Sequence, residues 1–286
     1  MICGTTPAVN SKLEDGGKMG NVDKKRVKDL LPSVVIVGLW DNDTKTIRKL
    51  GSGFIASKKL GLIVTAGHTL FNMKEGRDFG ARYFGLKNAR AVIGIIPGNK
   101  ENDSTAVFRY FAEIVAEDIR NMDAVVLKIT TKLENDVEND VLIGEQSEKF
   151  LENIQEESLS EMKITRRYEI EQAVRIIGFN QGGEGREEIG KHVNRISDFA
   201  NGYICKQHKI TDDHSTSSGL LPREEIVVIG PTICGHSGGP VVNDEGKVVG
   251  ILSRVDPVDR LRCYVVPSSE IKKLVTEVKN GGGMRY

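Results

Sequence analysis

The sequence predicts an all-β protein built from antiparallel barrels, and three observations carry that expectation. Short apolar runs alternate with polar turns: Val34-Val35-Ile36-Val37-Gly38-Leu39, the turn Asp41-Asn42-Asp43, Gly51 to Ala56, the turn Ser57-Lys58-Lys59, then Leu62 to Thr65. Runs of this length and spacing are the pattern of antiparallel barrel strands. A second series of such runs begins at Ala173, beyond a long acidic stretch. The chain's 286 residues suffice for two such barrels, counted as one or two compact domains.

Taken in order, residues 1–31 are polar, rich in Gly, Lys and Asp, and lack sustained periodicity, so they read as a flexible arm with a short helix over Asp23 to Leu31. Residues 32–130 form the first barrel. After Thr65 its strands are expected within Phe79 to Phe84 and Ala91 to Ile96, over Val107 to Val115, and over Ala124 to Ile129. Residues 131–172 read as an acidic interbarrel linker or insertion, partly helical because Phe150, Leu151 and Ile154 have helix-compatible spacing; a solvated face and a docking segment both fit it. Residues 173–280 form the second barrel, with strands over Ala173 to Phe179, His192 to Phe199, Gly202 to Cys205, Glu225 to Ile229, Lys247 to Ser253 and Arg262 to Val266. A closing helix follows, in which Ser268 or Ser269 caps and Ile271, Leu274 and Val275 make one apolar stripe. Residues 281–286 are a flexible tail.

Composition narrows the partners. Lys plus Arg and Asp plus Glu both number 40, so the formal net charge is zero and neither a nucleic acid nor an anionic membrane is expected as a partner. No run approaches the roughly eighteen apolar residues of a membrane span. The first residues lack the basic start and apolar core of a signal peptide, and four cysteines (Cys3, Cys205, Cys234, Cys263) are few for an oxidised secreted protein of this length. A soluble protein of the cytoplasm or another intracellular compartment is expected, with pairing of Cys234 and Cys263 left open. His192, His208, His214 and His236 show no ligand spacing, so no metal is expected. The glycine-rich loop Gln181 to Gly185 lacks the spacing and following helix of a dinucleotide fingerprint, so no cofactor is expected either.

The chemistry gathers around Gly235-His236-Ser237-Gly238-Gly239-Pro240, between two apolar strand-like segments. One reading is a glycine-rich hairpin with a turn serine. The other is a serine nucleophile on a sharp turn that presents amide donors to a substrate carbonyl. Upstream, Thr65-Ala66-Gly67-His68 ends one strand and Asp123 heads another; alone, His68 reads as a surface or cap residue and Asp123 as a strand cap.

Together, in the order histidine, aspartate, serine, these residues resemble the chymotrypsin-like (trypsin-like) serine peptidases. The resemblance is closest to the HtrA/Deg type through Gly51-Ser52-Gly53-Phe54-Ile55 ahead of Leu62 to His68. It implies two six-stranded antiparallel β-barrels of the trypsin-like serine protease fold with a C-terminal helix. It implies a His68, Asp123, Ser237 triad, with Asp123 preferred to Asp118 because it stands one residue before a buried strand. The N–H groups of Gly235 and Ser237 would form the oxyanion hole, and Ser253 would support the aspartate. Pro231, Thr232, Ile233, Cys234, Ser253, Arg254, Val255 and Cys263 would line the substrate site. With Pro231 rather than an acid at its floor, and Val255 and Cys263 narrowing its walls, the pocket is expected to take small to medium apolar side chains. Arg254 is expected to lie too far outward to favour acidic ones.

Two departures qualify the resemblance. His236 stands where secreted trypsins place an aspartate that pairs with a released N-terminus, so no zymogen step is expected. No peptide-binding PDZ unit is expected after the closing helix, the tail from Asn280 being short and glycine-rich. The expected function is a serine endopeptidase acting on proteins or peptides, the alternative being an inactive trypsin-like scaffold that binds peptides or partner proteins.

Overall fold

Twelve strands close into two barrels with the same winding. The structure is a computed structural model that describes residues 29–44, 46–73, 80–96, 106–132, 159–180, 197–209 and 221–282. The first barrel comprises β1 (Val34–Asp41), β2 (Thr46–Ser57), β3 (Leu62–Ala66), β4 (Ala89–Ile95), β5 (Val107–Asp118) and β6 (Ala124–Lys132) in the order 1-2-3-6-5-4. The second comprises β7 (Ala173–Phe179), β8 (Ser197–Lys209), β9 (Glu224–Ile229), β10 (Pro240–Val242), β11 (Val248–Val255) and β12 (Arg262–Pro267). It repeats that order as 7-8-9-12-11-10. All pairings between the twelve strands are antiparallel, and β1–β4 and β7–β10 close the rings, so neither barrel keeps an open edge. The helix α1 (Ser268–Lys279) follows β12 directly. Among the described residues no helix is long and apolar enough to cross a membrane.

Strand periodicity explains why these runs are so apolar. Successive side chains point to opposite faces, and in β1 both faces are covered: Val35 and Val37 belong to the interior of the first barrel, while Val34 and Ile36 join the cluster between the barrels. That cluster brings Phe54 and Val64 against Ile177, Phe179, Val242 and Ile251, and Ile271, Leu274 and Val275 of α1 seal it. The helix thus covers the seam with the stripe its sequence displays.

Three local expectations are corrected. Phe79 to Phe84 does not supply a strand in its described part: Tyr83–Gly85 is a 3-10 turn, with φ of 49° at Tyr83 and 57° at Phe84. Its backbone bonds to the turn after β3, through Tyr83 N–H to the Leu70 carbonyl, rather than to a sheet edge. The second barrel's expected strands around residues 197–205 are one strand, β8, because Gly202 marks a close backbone approach instead of a break; a Cβ there would lie 2.7 Å from the Ile229 carbonyl oxygen. The cap of α1 is Pro267, without a side-chain cap bond, since β12 runs straight into the helix and leaves Ser268 buried in its first turn. Of the expected helix over Asp23 to Leu31 the structure describes residues 29–31, of which 29–30 are helical; the expected helix near Phe150 and the glycine-rich loop at residues 181–185 lie outside the described residues.

Candidate active site

The pairing register of β3 with β6 brings His68 to Asp123. Ala66 stands opposite Ala124 in that antiparallel pair, so the residues just after β3 meet the residue just before β6. The chain leaves β3 in a 3-10 turn, Gly67–Thr69. Gly67 N–H donates to the Asp123 carbonyl (2.9 Å), and His68 N–H donates to Asp123 Oδ1 (2.8 Å). His68 Nδ1 lies 2.9 Å from Asp123 Oδ2. Because a carboxylate only accepts, Nδ1 carries a proton, and in the neutral ring Nε2 then keeps its lone pair. Asp123 itself has φ 52°, a left-handed conformation that short polar side chains adopt most readily among non-glycine residues. Asp118, the other candidate aspartate, bonds instead to Asn121 on the surface.

Ser253 of β11 completes the surroundings of Asp123. The residue is 1% exposed, and its hydroxyl donates to Asp123 Oδ2 over 2.6 Å. Its proton is thus committed to the carboxylate, and the residue has almost no access to solvent. Burial alone pushes the Asp123 carboxyl up. The His68 charge and hydrogen bond, the Arg223 charge and the Ser253 hydroxyl outweigh it and hold the group below its ordinary 3.8.

Ser237 reaches the same seam from the second barrel. The segment folds as two tight turns, closed by His236 N–H to Ile233 (3.2 Å) and Gly239 N–H to His236 (2.8 Å), with Gly235 at φ 102° and Gly238 at φ 79°. The half-buried Ser237 is tied to the first barrel through its backbone, Ser52 N–H donating to its carbonyl over 2.7 Å. Ser52 Oγ also donates to the Gly235 carbonyl (2.7 Å) and accepts from Phe179 N–H (2.8 Å). One fully buried residue of β2 thereby holds the loop on both sides of the buried His236, through its hydroxyl on Gly235 and its backbone N–H on Ser237. Among the described residues, the N–H groups of Gly235 and Ser237 donate to no backbone carbonyl.

Close contact explains Gly238. A Cβ there would lie 2.3 Å from the Ser52 carbonyl oxygen and 2.4 Å from Thr65 Oγ1, at a φ that disfavours side chains. Gly238→Ala is expected to lower stability by about 2 kcal/mol or more, read from the urea unfolding midpoint. An unchanged midpoint would show that this loop does not pack against β2 and β3 in that way.

The expected substrate-site residues are spread along the second barrel. Pro231, Ile233 and Cys234 are exposed and Thr232 is half-buried on the segment after β9. Thr232 Oγ1 lies 3.6 Å from the Sγ of Cys263, a buried residue paired across strands with Val255. No disulfide joins Cys234 to Cys263. Burial raises the Cys263 thiol above its ordinary value, and the thiol donates to the Gly230 carbonyl over 3.3 Å. Arg254 is drawn inward onto Glu225, with Nη2 to Oε2 at 2.8 Å, and its guanidinium stacks 4.2 Å from the Tyr264 ring centre.

The sequence named Ser52 only within the Gly51 to Ile55 motif and Glu225 only as a strand end, and assigned no site role to these or to Arg223. The usable signals were a serine between two glycines in a strand and an Arg-x-Glu pair entering an apolar strand, since residues two apart share a face. Among the described residues, no group of three His, Cys, Asp or Glu side chains could hold a metal ion.

A family model described as the trypsin-like peptidase domain matches residues 51–251. No curated protein matches the sequence. Among solved structures, the chain is similar to the active form of the Rv3671c protease from M. tuberculosis, with a TM-score of 0.57 and 14% identity over 91% of this chain and 85% of that one. It is similar to the inactive form of the same protease, with a TM-score of 0.55 and 14% identity over 90% and 94%. It is also similar to Deg5, with a TM-score of 0.58 and 18% identity over 95% and 100%. At these identities the likeness is one of fold.

Proposed function

The chain belongs to the trypsin-like peptidase family, and from that membership we propose how its serine-protease chemistry is divided among its residues. Ser237 attacks the carbonyl of a polypeptide substrate while His68 Nε2 takes its proton. Asp123 holds the imidazole in that tautomer and supports the imidazolium that forms; His68 then returns the proton to the leaving amine, and water resolves the acyl-enzyme. The N–H groups of Gly235 and Ser237 face the developing oxyanion, where one preorganised donor contributes about 3 kcal/mol.

The observation that carries this reading is the pair of bonds from His68 to Asp123, which leaves Nε2 as the basic nitrogen. The anchoring of the Ser237 loop by Ser52 is the support for an oxyanion loop ordered without a released N-terminus.

Beside that site, Pro231, Thr232, Ile233, Cys234, Ser253, Arg254, Val255 and Cys263 border the substrate. The apolar Val255 and Cys263, with Glu225 neutralising Arg254, favour cleavage after small to medium apolar residues. An intracellular setting is the proposal that the cysteine usage supports.

A fluorophosphonate probe tests the assignment. It is expected to label the wild-type protein on the peptide containing Ser237 and to leave Ser237→Ala unlabelled. A folded wild-type protein that resists labelling would overturn the reading in favour of a peptide-binding scaffold.

A further inference from the structure

We propose that Arg223 is a positioning residue for the protease reaction, setting the direction of the Ser253 hydroxyl and keeping Asp123 ionised opposite His68. The inference rests on the reading of His68, Asp123 and Ser237 as the triad.

Arg223 lies just before β9 with its side chain 6% exposed, beside Glu225, which is fully buried on the same face. Its Nε donates to Glu225 Oε1 over 2.8 Å, and Nη2 bonds to the same oxygen. Nη2 also reaches Ser253 Oγ at 3.3 Å. A guanidinium has donors only, so Ser253 accepts from Arg223, and the single hydroxyl hydrogen is left for Asp123 Oδ2. From Arg223 the donation therefore runs through Ser253 to Asp123, which also accepts from His68, while Glu225 accepts from Arg223 at the other end.

Charge adds to direction. Glu225 is shared by Arg223 and Arg254, so with Asp123 the cluster holds two cations and two anions while His68 is neutral. Without Arg223 the same cluster is left with one net negative charge next to the imidazole, which favours the imidazolium and removes the base. Asp118 of β5, Glu224 of β9 and Glu270 of α1, with the phenol of Tyr168, line a cavity of about 290 Å³ with Arg223; Glu270 is paired with Lys273, so the Arg223 cation faces chiefly Asp118 and Glu224 there. Nη1 of Arg223 is buried with no partner among the described residues. A buried ion pair with an unsatisfied donor is a poor stability device compared with a well-packed apolar side chain, and so the role fits electrostatics better than packing.

The test is Arg223→Met beside Arg223→Lys, with kcat and KM measured against a peptide substrate across pH. Arg223→Met is expected to lose about 10- to 100-fold in kcat with KM little changed. The acidic limb of its kcat/KM profile should move up by about 0.5–1 pH unit. Arg223→Lys, which keeps the cation, should recover the position of that limb. A folded Arg223→Met with wild-type kcat and an unmoved limb overturns the proposal. Should it fail to fold, Arg223→Gln, which keeps donors without charge, carries the same expected shift and the same power to overturn. Ser237→Ala assayed in parallel separates the two levels: an active Ser237→Ala removes the underlying triad reading, whereas an inactive one beside a wild-type-like Arg223→Met removes only this inference.

Discussion

Ser237→Ala is expected to lower kcat against a peptide substrate by about 10⁵-fold or more, with KM and the thermal unfolding midpoint little changed. The fold should not notice the substitution, because the contacts that seat this residue run through its backbone. The Ser237 carbonyl accepts from Ser52 N–H, and the neighbouring Gly238 N–H donates to the Leu252 carbonyl. Only the hydroxyl is lost, and with it the covalent step. Activity remaining within about a hundredfold of wild type would be far above what an oxyanion hole and substrate binding leave behind, and would move the nucleophile elsewhere. Ser253 would not inherit the role, since its proton is already given to Asp123 in a site closed to solvent.

Asp123→Asn should cost about 10⁴-fold in kcat while leaving the protein folded. Asparagine matches aspartate in shape and also tolerates the left-handed φ of 52°. The chemistry is what fails. Three donors converge on the two carboxylate oxygens: the His68 backbone N–H, the His68 Nδ1–H and the Ser253 hydroxyl. An amide offers one oxygen, and its NH₂ must face one of those donors. If it faces His68 Nδ1, the ring turns to the tautomer with its proton on Nε2 and no lone pair is left for Ser237. The kcat of the folded variant checks this; a loss below about tenfold would mean that Asp123 does not set the tautomer.

The same substitution has a stability signature in pH. The folded-state pKa of Asp123 lies below its ordinary 3.8. Its ionised form therefore contributes stability that is fully present above about pH 4 and is lost as pH falls through the depressed folded value. Urea midpoints of the wild type should fall more steeply in that acid range than those of Asp123→Asn, where the titrating group is gone.

Local pattern made much of the architecture legible. The runs at Val34, Leu62, Ala124, Ala173 and Val248 are strands because β-branched residues suit a pleated surface that is largely buried on both faces. The stripe Ile271, Leu274, Val275 marked the helix and its buried side in one step. Where reading failed locally, the competing influence was a distant backbone. Tyr83 and Phe84 look like strand residues, yet the Leu70 carbonyl and a positive φ turn them aside. Gly202 looks like an interruption, yet it is a place where two strands come close.

By itself the sequence determined the all-β class and the three short segments around His68, Asp123 and Ser237, because strand periodicity and glycine turns are encoded within a few residues, and the two six-stranded barrels followed from the resemblance that those segments carry. What only the tertiary structure decided was the pairing between segments far apart in the chain. The register of β3 on β6 delivers His68 to Asp123, Ser52 of the first barrel holds the Ser237 loop of the second, and Arg223 meets Ser253 across thirty residues of sequence. Each of these depends on hydrogen bonds between buried polar groups whose partners are chosen by how the barrels close and pack, and residue type alone cannot say which buried donor will face which acceptor.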